Sequence, residues 1–152
     1  MKMANKIQFF YPYGKVNLSN RTALKKFMVG RFRFHRIQIV SLLVIFTSDR
    51  ELLQINRRFL QHDYYTDIIT FNHGTNSSVE GEIYISMDRV RRNADAYQSS
   101  IKDELHRVIF HGALHLCGFG DKTIKEKAEM RAMENRWLSL YYHNVPRGTK
   151  II

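Results

Sequence analysis

The feature that most constrains this chain is a helix with no polar side. From Ser100 onward, Leu105, Val108, Ile109, Gly112, Ala113 and Leu116 recur at the spacing of one helical face. Phe110, Leu114 and Cys117 cover the opposite side. A helix that is apolar nearly all round must be buried, so the remaining elements are expected to wrap it. Ser100 and Asp103 supply a start signal, and Gly118 with Gly120 a stop. Around this helix the pattern predicts strands over 7–11, 37–46, 66–71 and 81–86, with 37–46 central and buried. It predicts helices over 21–28, with Asn20 as cap, and from the Ser48-Asp49-Arg50-Glu51 capping box to about Phe59. A further helix follows Ser86 and carries Val90, Ala94 and Tyr97. The last runs from the Thr123-Ile124-Lys125-Glu126 box to about Tyr141. A polar loop, 72–80, joins the third and fourth strands. Strands come early and helices late, which favours α+β with one small mixed sheet. At 152 residues a single domain spanning 1–152 is expected.

The chemistry concentrates at the end of the buried helix. His111 and His115 are four residues apart, about 40° around a helix axis, so two imidazoles at the edge of the apolar stripe can share one metal ion. Gly118 allows a sharp stop and a turn back, and Asp121 then comes within reach as a third ligand. Zinc accepts His nitrogen and carboxylate oxygen, and three protein ligands leave a position for water whose proton the metal loosens. On spacing alone, a surface-turn or N-cap role for Asp121 stays open, as does a histidine pair with no shared ligand. His-x-x-x-His-x-x-Gly-x-x-Asp looks like the metzincin peptidase motif with its third histidine replaced. Those peptidases need Glu directly after the first histidine as general base, and Gly112 stands there, which disfavours peptide hydrolysis. Cys117 points away from the pair and reads as core, and His35, His62, His106 and His143 read as structural or surface residues.

The formal net charge is +10, and it is unevenly distributed. No Asp or Glu precedes Asp49, while Lys2, Lys6, Lys15, Arg21, Lys25, Lys26, Arg31, Arg33 and Arg36 all do. Such asymmetry points to a polyanion, RNA or DNA first, and the interleaved Phe9, Phe10, Tyr11, Tyr13, Phe27, Phe32 and Phe34 offer rings for stacking or for the core. The longest strongly apolar run, 39–46, is far short of the roughly 20 residues that span a bilayer, and residues 1–6 show no signal-type stretch. One cysteine excludes an intrachain disulfide, so the cytoplasm is the expected compartment and no membrane is expected as partner.

His111-Gly-Ala-Leu-His115-Leu-Cys-Gly118-Phe119 resembles the core of the YbeY family of bacterial metal-dependent endoribonucleases. Upstream, Ile55-Asn56 through Phe59, then Asp63, then Thr66-Asp67-Ile68-Ile69-Thr70-Phe71 is similar to that family's Leu-Asn…Asp…Thr-Asp-Val-Leu-Ser-Phe block, and Gly81-Glu82-Ile83 to its Gly-Asp-Ile strand. The resemblance covers about 39–137. It implies a zincin-like α+β fold, one zinc ion or another divalent metal, and cleavage of single-stranded RNA. It also implies a role in 3′-end maturation of small-subunit rRNA and ribosome quality control, with ribosomal RNA and the ribosome as partners. Two positions depart from the family pattern. Asp121 stands where the family usually has a third His, which lowers the site's charge by one and favours harder ions. Leu60 stands where the family commonly has an Arg associated with activity, with Arg57 and Arg58 nearby.

The expected chemistry is therefore metal-assisted hydrolysis of RNA. His111, His115 and Asp121 hold the ion, with both histidines catalytic through it, and Lys25, Lys26, Arg31, Arg33, Arg57 and Arg58 are candidates to hold the RNA backbone. Thr66 and Asp67 are expected to orient the site or cap the backbone, and Asn72 and His73 to lie in an exposed loop. A non-catalytic ribosome-assembly or RNA-binding factor with a structural metal is the alternative.

Overall fold

A computed structural model describes residues 6–12, 14–62 and 66–144; Tyr13 and Asp63 lie outside them. Among these residues four strands form one mixed sheet in the order β1-β2-β4-β3, where β1 is Ile7–Phe10, β2 Gln38–Thr47, β3 Ile68–Asn72 and β4 Ser78–Ser86. β1, β2 and β4 are parallel, and β3 closes the edge antiparallel to β4. Among the described residues five α-helices accompany the sheet: α1 Arg21–Phe34, α2 Asp49–Ile55, α3 Met87–Ala96, α4 Ile101–Leu116 and α5 Ile124–Asn144. The chain is a small α+β domain built on this sheet.

α4 lies against the sheet with no gap to spare. A methyl at Gly112 would come within 2.7 Å of Ile68 and 2.9 Å of Ile83, so glycine is what lets helix and sheet touch there. Leu42, Val44, Phe46, Val79 and Ile83 supply the covered face. Phe110 on the far side of α4 meets Phe27 of α1 and Trp137 and Tyr141 of α5 at centroid distances of 5.4, 5.6 and 5.9 Å. Phe110, Trp137 and Tyr141 are buried and Phe27 partly so; each fully buried side chain contributes about 1.5–3 kcal/mol through apolar burial, and rings meeting edge to face add to it.

Several boundaries differ from the sequence expectation. α1 runs to Phe34 rather than Met28, because Val29 and Phe32 continue its buried stripe past the exposed Gly30. Asn20 begins α1 in the left-handed region with no side-chain cap; only its carbonyl is used, by Leu24 N–H at 2.9 Å. α2 passes into a π-helical turn, Asn56–Leu60, ended by Gln61 in the left-handed region. The loop expected over 72–80 shrinks to 73–77. Asn72 Oδ1 accepts from the N–H groups of Gly74 and Glu80 at 2.9 and 3.2 Å, tightening a hairpin whose strands run closer to the turn on both sides. The other caps form as read: Ser48, Ser86 and Ser100 accept from the third residue on, and Thr123 and Glu126 cap reciprocally. No helix among the described residues is long and apolar enough to cross a membrane.

Candidate metal centre

The end of α4 turns the two histidines toward one carboxylate. Gly118 takes φ +101°, its N–H donates to His115 O, and Phe119 N–H reaches back to Leu114 O, both at 3.0 Å. This left-handed stop folds the chain over its own last turn. Phe119 O consequently accepts from His115 Nδ1 at 2.9 Å. His111 Nδ1 meets Glu134 Oε2 of α5 at 2.6 Å. Beyond the bend, Asp121 Oδ2 lies 3.2 Å from both Nε2 atoms, which are 3.0 Å apart.

The hydrogen-bond partners of these groups leave them able to hold a cation. A carbonyl only accepts, so His115 Nδ1 carries the proton. Burial disfavours the Glu134 carboxylate, but hydrogen bonds from His111 and Arg107, and their charges, hold its pKa below the ordinary range. It is thus an acceptor, and His111 Nδ1 is a donor as well. In neutral imidazoles both Nε2 atoms then present lone pairs, facing each other and a carboxylate oxygen at 3.0–3.2 Å. Three lone-pair donors crowd one point. Tetrahedral zinc with Zn–N bonds of about 2.0–2.1 Å spaces its ligand atoms roughly 3.3 Å apart, so the residues present fit such an ion. A proton is drawn to the same spot. Burial opposes the His111 cation, yet Glu134, Asp67 and Asp121 together hold its pKa above the ordinary value.

The triad sits between two crevices. One, of about 290 Å³, is lined by Asp67, Glu104, Arg107, His111, Asp121 and Glu134 among others. The other, of about 500 Å³, is lined by Asn56, Leu60, His62, Thr66, Asp67, His111, His115, Asp121 and Lys122 among others. Asp67 faces both crevices, while its carbonyl accepts from Ser86 N–H at 2.9 Å, and Thr66 Oγ1 donates to Ile68 O at 3.3 Å. Leu60 lines the larger crevice and Arg57 and Arg58 do not; the Arg58 guanidinium lies over the Phe59 ring instead.

The comparisons with known proteins agree over most of the chain. Residues 17–142 match the family described as Endoribonuclease YbeY. The chain belongs to the YbeY family. A relative from Cytophaga hutchinsonii named Endoribonuclease YbeY is 49% identical over 135 residues, covering 88% of this chain and 94% of its own. One from Phocaeicola vulgatus with the same name is 51% identical over 96 residues, 63% of this chain and 70% of its own. A Thermotoga maritima protein solved in solution superposes with a TM-score of 0.60 at 24% identity, covering 95% of this chain and 99% of that one, and so shares the fold.

The remaining site candidates scatter over the molecule. Lys25 lies over Phe9, and Arg31 over Phe34 and Trp137. Lys26 is exposed, and Arg33 lines a separate pocket. Asn72 is spent on the hairpin, and His73 pairs with Glu82 at 3.4 Å. His106 is buried against Tyr142, its Nδ1 2.6 Å from the hydroxyl. Cys117 is pushed up to about 12 by burial, consistent with a core thiol. Two residues that sequence reasoning missed matter most. Buried Glu134 and half-buried Arg107 pair at 2.9 Å, and Glu134 fixes the His111 tautomer. The signal was present: Met130, Glu134, Trp137 and Tyr141 are the buried stripe of α5, with one acid at a core position.

Proposed function

We propose that this chain is a single-domain, zincin-like metal-dependent endoribonuclease that cuts single-stranded RNA. Its proposed task is 3′-end maturation of small-subunit rRNA and ribosome quality control, in the cytoplasm and with the ribosome as partner. His111, His115 and Asp121 hold one divalent ion, zinc or a harder ion that the carboxylate favours. The observation that carries the reading is the convergence of three lone-pair donors at 3.0–3.2 Å with both Nδ1 protons committed elsewhere. An ion bound there would act as a Lewis acid on a phosphate oxygen and make water a usable nucleophile near neutral pH.

The chain's own residues supply the positioning. Glu134 and Phe119 O lock both imidazoles with Nε2 forward. Crevices on both sides of the triad leave room for a strand to run through, which suits cleavage within a chain rather than at its end. Lys122 in the larger crevice offers a cation to the backbone. Gly112 supports RNA over peptide as substrate: a side chain there would be driven into Ile68 and Ile83, leaving no place for the peptidase base.

Leu60 keeps one second reading, a binding factor with a structural metal, since it leaves the larger crevice without the family's arginine. Elemental analysis of untreated protein, with cleavage of a labelled single-stranded RNA before and after chelation, separates the two. Bound metal and chelator-sensitive cleavage abolished in His111→Ala support the nuclease. RNA binding with metal present but no cleavage supports the binding factor.

A further inference from the structure

A pocket of about 450 Å³ opens where α1 ends and β2 begins, and it shares no residue with the crevices that flank the triad. Its cationic walls are Lys6, just before β1, Arg33 in the last turn of α1, and Arg36 just past it. Gln38 and Ser77 form the rim, joined by a 2.9 Å hydrogen bond from Gln38 N–H to Ser77 O, and Val29, Ile37 and Ile39 form a buried apolar floor. Among the described residues, no acid and no aromatic ring lines it. Arg33 near a helix C-terminus complements the helix dipole, but that does not account for Lys6 and Arg36 turning to the same space. Cations gathered around one concavity suit an oxyanion, and guanidinium forks match phosphate oxygens. With no ring to stack on, a nucleobase gains little there, so the matching group is backbone phosphate.

The pocket is linked to the triad from two sides. His35, between Arg33 and Arg36 in the chain, packs edge-on against Phe119 at 5.6 Å, and Phe119 O is the acceptor that holds His115. Ser77 of the rim follows Asn76, which lines a crevice of about 390 Å³ with His115, Gly118 and Thr70. The crevice beside His115 and the basic pocket thus both take a wall from the hairpin turn, at Asn76 and at Ser77. We infer that Lys6, Arg33 and Arg36 form a phosphate subsite that grips the RNA backbone at a distance from the bond being cut. The inference rests on RNA being the substrate.

Arg36 permits a clean test. It occupies the left-handed position after α1, with φ 61°, where glycine is at least as comfortable, so Arg36→Gly removes the guanidinium without straining the fold. The measurement is binding of a short fluorescein-labelled single-stranded RNA to untreated protein by anisotropy, between about 50 and 200 mM salt. The salt slope should fall by about 0.7 for each phosphate that is no longer neutralised, once in Arg36→Gly and again with Lys6→Ala, while Arg36→Lys keeps most of it. Thermal midpoints of the variants should stay at or above wild type. An unchanged slope in the double variant overturns the subsite, whether or not the wild type cleaves. A reduced slope in a protein that binds but never cleaves keeps the subsite and removes the nuclease reading instead.

Discussion

At the residue scale, the candidate site depends on a group that is not itself a ligand of the proposed metal. Glu134 is 6% exposed, accepts from His111 at 2.6 Å, and is itself held by Arg107 at 2.9 Å. Glu134→Gln keeps the shape but gives up the charge that fixes the His111 proton on Nδ1. Loss of such a partner typically costs 10–100-fold in metal affinity, so competition with a chromogenic chelator should show a drop of about that size. Affinity equal to wild type would mean the imidazole holds its orientation without the carboxylate. Leu60 offers the opposite kind of change. It lines the crevice that holds the triad, and Arg57 and Arg58 do not reach that space. Leu60→Arg should raise kcat/KM for single-stranded RNA several-fold at low salt, with the gain fading as salt rises, because a cation there acts on phosphate through a screened interaction. No gain at any salt would show that position 60 does not meet the substrate.

At the element scale, what the chain discloses and what it hides have separate physical origins. α4 was legible because burial demands a continuous apolar surface, and the helix starts were legible because each cap is a local hydrogen bond between residues three apart. The end of α1 was not, because the stripe through Val29 and Phe32 gains its value only from strands and helices distant in sequence. The π-turn at Asn56–Leu60 has no local signature, and it decides which side chain faces the crevice. The convergence of His111, His115 and Asp121 was legible through helix spacing and the glycine bend, whereas Glu134 required knowing which face of α5 meets α4. Gly112 marks the tightest approach between helix and sheet. Gly112→Ala should destabilise the fold by about 1–3 kcal/mol through overpacking against Ile68 and Ile83, despite alanine's better helix propensity. Urea unfolding measures it, and a more stable variant would show that α4 can move off the sheet at little cost.

At the scale of the whole molecule, Asp49 joins parts of the chain that the sheet alone does not. It opens α2, its Oδ1 accepts from Ser86 Oγ at 2.7 Å at the end of β4, and it pairs with Arg89 at 3.3 Å and with Arg92, both on α3; its own N–H donates to Asp88 at 2.9 Å. Burial would raise the Asp49 pKa, but the Ser86 hydrogen bond and the two arginines outweigh it and hold the carboxyl below its ordinary range. A carboxyl whose pKa is lower folded than unfolded adds stability that is fully present above the unfolded value, about 4, and is lost as pH falls through the folded value. Asp49→Asn should therefore cost about 1–3 kcal/mol at pH 7, and the gap to wild type should close as pH drops below about 4. A chain of net charge +10 also gains positive charge in acid and repels itself, but that contribution is nearly common to both proteins and largely cancels in the difference. Urea midpoints for the pair across this pH range decide the matter. A gap that stays constant into acid would assign the stabilisation to shape and neutral hydrogen bonds rather than to the ionised carboxylate tying α2, β4 and α3 together.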